Sequence, residues 1–182
     1  MKTITAALVM LLAVCSGSAI SADGSTLTGE DAEIWNGLSR INWIAQGNGQ
    51  RVVYAYVDAN CSYSRELFKK VQELANPALV QIRWIPVGVI PKVTENSRYK
   101  AAAAVKGGSK TLSTVMRGGT PEVKPSQAEF AKVDSNADFL DVIRKYVPRG
   151  GIPKFIYVKE ASNEVRLFSG VPDQSELMRV LR

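Results

Sequence analysis

Histidine is absent from the 182-residue sequence. That excludes His-assisted serine or cysteine hydrolysis and argues against a zinc centre, for which imidazole is a usual ligand. Cysteine is almost absent, with only Cys15 and Cys61. No segment beyond the amino terminus reaches the ~18 consecutive apolar residues that a membrane-spanning helix needs. Internal repeats and low-complexity tracts are also missing. Lysine and arginine total 23 against 17 acidic residues, a net charge of +6. Arg144, Lys145, Arg149 and Lys154 form the one basic cluster. No aromatic residues interleave with it, so it reads as a solvated face and not as a nucleic-acid surface.

The amino terminus carries Lys2, an apolar run over residues 6–14 that is too short to span a bilayer, and Ile20-Ser21-Ala22 before Asp23. This is the pattern of a secretory signal over residues 1–22, and it predicts a periplasmic protein. Leu12-Ala13-Val14-Cys15 loosely resembles a lipoprotein processing box, but Val14 is large for its position. Loss of the signal would leave Cys61 alone in a compartment where disulfides persist. Such a thiol is buried and inert, paired with another molecule, or reactive.

Residues 28–45 read as a helix, with Thr28 and Asp31 as a capping-box-like start and Ile34, Leu38, Ile41 and Ala45 at helical spacing. Residues 52–57 are apolar without alternation, which predicts a strand covered on both faces. After Asp58-Ala59-Asn60 the pattern turns helical from Cys61, with Leu67, Phe68, Val71 and Leu74 on one side. Residues 79–85 read as a second strand. Helical stretches follow over 94–105, 109–116 and 126–147, broken at Gly107-Gly108 and at Gly118-Gly119. Ser126 with Glu129 and Ser135 with Asp138 both fit capping boxes, which predicts two helices in the last stretch. Residues 155–158 and 165–168 form a hairpin, and Asp173 caps a closing helix. The order predicts an α/β, thioredoxin-like fold with a helical insertion between its β-α-β half and its β-hairpin-α half. The expected layout is a signal at 1–22, a leading helix and linker at 23–50, and the thioredoxin-like domain at 51–182, with the insertion at about 94–147.

A helix amino end presents unpaired N–H groups and about half a positive charge. A cysteine placed there is favoured as thiolate, the attacking species in disulfide exchange. The helix could thus replace the missing histidine. Ser64 stands where a second, resolving cysteine would sit, and serine cannot resolve a mixed disulfide. Three activities remain: disulfide shuffling, release of glutathione or reduction of sulfenic acids with an outside thiol, and reversible binding without net redox work. The bland alternatives stay open: Cys61 as a small core residue and Pro153 as an ordinary turn proline. Tyr54 and Tyr56 are expected in the core, whereas Tyr63 falls in an exposed first turn.

VVYAYVDANCSYS at 52–64, Ile85-Pro86-Val87-Gly88-Val89-Ile90, GVPDQ at 170–174 and the leading Ile34-Trp35 and Trp43 occur in one order over residues 33–182. In these stretches the chain resembles the catalytic domain of the periplasmic disulfide isomerase family, DsbC and DsbG, and is more similar to DsbG. The resemblance implies that Cys61 is the attacking cysteine and that Ser62, Tyr63 and Ser64 complete its motif. It also implies that Ile152 and Pro153 form the cis-proline loop lining the substrate cleft. Ser62 replaces the family's proline, Ser64 its resolving cysteine, and Ile152 a frequent threonine. The family's amino-terminal dimerisation domain has no counterpart here, so a monomer is expected. No cofactor is implied. The expected partners are exported proteins or peptides with disulfides or oxidised cysteines, and an external thiol reductant. The competing expectation is a redox-inactive binding or chaperone module, for example an accessory of a conjugation or secretion assembly.

Overall fold

The computed structural model describes residues 19–20, 26–27, 29–146 and 150–182. The predicted signal, with Cys15, lies outside the described residues except for Ala19 and Ile20, as do Thr28 and Arg149. In chain order the elements are β1 (Ala19–Ile20), β2 (Thr26–Leu27), α1 (Gly29–Arg40), β3 (Ile44–Gln46), β4 (Arg51–Val57), α2 (Ser62–Leu74), β5 (Val80–Pro86), α3 (Thr94–Met116), α4 (Gln127–Tyr146), β6 (Lys154–Lys159), β7 (Glu164–Ser169) and α5 (Gln174–Leu181). β1 and β2 pair with each other. The main sheet has the order β3-β5-β4-β6-β7, with β4 and β5 parallel and the other neighbours antiparallel.

β4 sits at the centre, which explains its unbroken apolar run. Side chains alternate across a strand, so Val53, Ala55 and Val57 face one layer while Tyr54 and Tyr56 face the other. The first layer packs Leu67, Phe68 and Val71 of α2, Leu112, Val115 and Met116 of α3, and Leu177, Val180 and Leu181 of α5. Burial of each such side chain is worth ~1.5–3 kcal/mol. The second layer packs Ile34, Trp35 and Leu38 of α1 with Leu140 and Ile143 of α4. There the Tyr54 hydroxyl accepts from Arg83, whereas the Tyr56 hydroxyl is buried with no hydrogen-bond partner. Burial pushes both phenols above their ordinary range.

The thioredoxin-like α/β order with its helical insertion stands, and three expectations are corrected. Residues 28–45 are not one helix: α1 ends at Arg40, and Ile44–Gln46 is an edge strand on β5. A stretch as short as Ile44-Ala45-Gln46 fits either period, and pairing with β5 decides between them. Residues 126–147 are not two helices, because α4 runs unbroken through Ser135 and Asp138. Breaking it would forfeit the single face of Val133, Asn136, Leu140 and Ile143. Asn136 is buried there, accepting from Asn42 N and donating to the carbonyls of Asn42 and Pro86. Ser126 and Glu129 do cap, since the Glu129 carboxylate accepts from both the Ser126 N–H and its hydroxyl. Finally, Lys154 does not belong to a solvated basic face. It is 0% exposed and donates to Gly150 O and Ser169 Oγ. Burial, and then the charge of Arg144, lowers its pKa.

The predicted break at Gly107-Gly108 appears as a kink inside α3, where Gly108 has φ 66°, a conformation open to glycine.

Candidate functional site

Cys61 is the residue before α2, at the carboxyl end of the central strand. Its backbone is extended (φ −89°, ψ 121°), and its side chain makes no capping hydrogen bond. The first turn of α2 contains no acidic residue. The N–H groups at this end are therefore not taken by an N-cap side chain, and no carboxylate in that turn competes with a thiolate for the positive end of the helix dipole. The sulfur is tucked in: Cys61 is 8% exposed, and its thiol donates to the Ile152 carbonyl at 3.5 Å. The Ile152-Pro153 bond is cis. The sequence-predicted Cys61, Ile152 and Pro153 thus converge, although they lie about ninety positions apart along the chain.

The other motif positions diverge. Ser62 points to solvent, and Tyr63 is 62% exposed. Ser64 is 0% exposed, and its hydroxyl accepts from Asp58 N at 3.3 Å. The hydroxyl is thus committed to holding the preceding loop. Tyr63, Glu66, Lys70, Ile152, Val171 and Pro172 help line an open cleft of about 480 Å³, which reaches Cys61 only through its neighbours Tyr63 and Ile152. Lys70 pairs with Glu66 at 2.9 Å within it.

Two residues that sequence reasoning treated only as turn formers build the loop. The buried Asp58 accepts from Asn60 N at 2.8 Å through one carboxylate oxygen, and from Val89 N and Ile90 N at 2.9 and 3.2 Å through the other. The first bond closes an Asx turn; the other two tie the 58–60 loop to the chain after β5. Gly88 lets α3 lie against that same segment, since a Cβ there would lie 2.4 Å from Arg98 Cα. The only legible signal was an Asp and an Asn directly ahead of Cys61. Among the described residues no group of His, Cys, Asp and Glu side chains could hold a metal ion.

No family model matches the chain. It is 27% identical over 158 residues to the thiol:disulfide interchange protein DsbG of Pseudomonas aeruginosa, covering 82% of this chain and 59% of that protein. It is 22% identical over 152 residues to DsbG of Escherichia coli, covering 80% and 59%. The chain is thus similar in sequence to DsbG-type thiol:disulfide interchange proteins. It spans 59% of the length of these curated DsbG relatives. A periplasmic thioredoxin-like protein from Salmonella enterica superposes with TM-score 0.56 at 15% identity, covering 85% of this chain and 97% of that one. That likeness speaks for the thioredoxin-like fold. Among the described residues, no helix is long and apolar enough to cross a membrane.

Proposed function

We propose that the chain is a periplasmic monothiol relative of DsbG, acting through Cys61 on disulfides or oxidised cysteines of exported proteins. The observation that carries this reading is Cys61 at the uncapped start of α2, with its sulfur against the cis Ile152-Pro153 turn. The Cys61 thiolate attacks one sulfur of a substrate disulfide. A mixed disulfide forms, and the other substrate sulfur leaves as a thiolate that takes a proton from solvent. In isomerisation, a substrate thiolate then attacks the substrate sulfur of the adduct and expels Cys61, with no net oxidation. With a sulfenic acid, attack releases water, and an external thiol reductant completes the reduction. Ser64 cannot take the resolving step, so each adduct waits for a thiol from outside. The cleft lined by Tyr63, Ile152 and Pro172 offers the substrate chain a seat on the residues that flank Cys61.

A pull-down of the natively folded protein from periplasm under non-reducing conditions tests this. Mixed disulfides should form, collapse on adding reductant, and vanish in Cys61→Ala. Absence of covalent adducts would overturn the proposal. Capture of partners that persists unchanged in Cys61→Ala would favour the redox-inactive binding module.

A further inference from the structure

The residue directly before the sulfur is held by the helical insertion. Asn60 donates through Nδ2 to Asn96 Oδ1 and Ser97 Oγ, both at 2.9 Å, and its Oδ1 accepts from Lys100 Nζ at 2.8 Å. Asn96, Ser97 and Lys100 all belong to the first two turns of α3. With the Asp58 bond to its N–H, the Asn60 backbone donor and every polar side-chain atom are engaged. Lys100 makes no ion pair with any described carboxylate. Its ammonium therefore has no direct carboxylate partner among the described residues, and the Asp58 carboxylate is the nearest acid in its hydrogen-bond network. The chain geometry of neighbouring residues keeps the ammonium within roughly 13 Å of the sulfur.

We infer that Asn60 and Lys100 are positioning residues for Cys61: through the Asn60 amide the insertion fixes the sulfur's loop, and it holds the Lys100 cation where a negative sulfur gains from it. The inference rests on the reading of Cys61 as a nucleophile. Asn60 is suited to the part because it bridges the Asp58 carboxylate and the Lys100 ammonium without being charged itself. An aspartate of the same shape would cancel the cation. At such a separation the interaction is partly screened, because the Debye length is ~8 Å at physiological ionic strength. Salt therefore distinguishes a field effect from a purely mechanical one.

The test is the rate at which uncharged iodoacetamide alkylates Cys61 in the natively folded full chain at pH 7, read on the Cys61 peptide by mass spectrometry, in low and high salt. Thermal melts verify that each variant folds. Lys100→Met is expected to react about two- to five-fold more slowly than wild type at low salt, and the gap should narrow at high salt. Lys100→Arg should recover most of the rate, and Asn60→Asp should be slowed at least as much as Lys100→Met. Equal rates for wild type and Lys100→Met would overturn the inference while leaving the nucleophile reading intact. So would a slowing that Arg does not rescue and salt does not change. Failure of the wild-type protein itself to react would remove both.

Discussion

Helices α2 and α5 pack side by side in one core layer and begin in opposite ways. The amino end of α5 is closed: Asp173 accepts from Glu176 N at 2.8 Å and from the Ser175 hydroxyl at 2.6 Å. Glu176 adds an acid in the first turn, which complements the dipole. The amino end of α2 carries neither device. Its N-cap residue is Cys61, which makes no capping bond, and its first turn has no acid. A carboxylate serves at one end to stop a helix fraying, whereas the other end is left available to an incoming negative group. The end that forgoes its cap is the one beside the cis-proline turn and the cleft.

Restoring a second sulfur should disturb this contrast most. Ser64→Cys places a thiol in the buried position where serine now holds the loop. The introduced thiolate could then attack the Cys61 sulfur in the mixed disulfide, expel the substrate as thiolate and leave an intramolecular disulfide. Trapped adducts, read on non-reducing gels, should fall roughly tenfold. An unchanged yield would mean that position 64 cannot reach the sulfur. Opening the closed end comes next. Asp173→Ala should lower Tm by about 2–4 °C near neutral pH. Bonds first from Ser175 and then from Glu176 N hold the Asp173 carboxyl below its ordinary 3.8. The stabilisation is therefore complete above that value and is lost as pH falls through the lower folded value. The Tm gap between wild type and variant should accordingly close in acid, and a gap that persists there would assign the cap's effect to something other than the carboxylate. Closing the open end should change stability least. Cys61→Ser supplies a good N-cap hydroxyl and should stabilise by about 0.5 kcal/mol in a denaturant melt while abolishing all adducts. A clear loss of stability would show that the sulfur is wanted for packing.

Much of this arrangement was legible in the chain, and the parts that were not have a common character. The helix after Cys61 shows in the spacing of Leu67, Phe68 and Val71, and the kink at Gly108 shows in a Gly-Gly pair. The Asp173 cap is local too, with its partners two and three positions away. By contrast, Ile44–Gln46 became a strand only because β5 offered an edge, and Ser135 stayed helical because Asn136 had carbonyls to bind 50 and 94 positions away. Lys154, which looked like surface charge, lies inside because a sheet pairing and Ser169 hold it there.

By itself the sequence determined the cysteine that opens a helix, the serine three positions after it, and the alternation of elements that makes a thioredoxin-like sheet. These depend on residue identity and on contacts within a few positions, where periodicity and capping chemistry operate. Only the tertiary structure decided how buried Cys61 is, that the Ile152 carbonyl accepts a hydrogen bond from its thiol, and that α3 grips the residue before it. Those facts rest on groups 36 to 91 positions apart. No local pattern encodes such a meeting; it occurs because burying both faces of β4 brings the ends of several elements to one place.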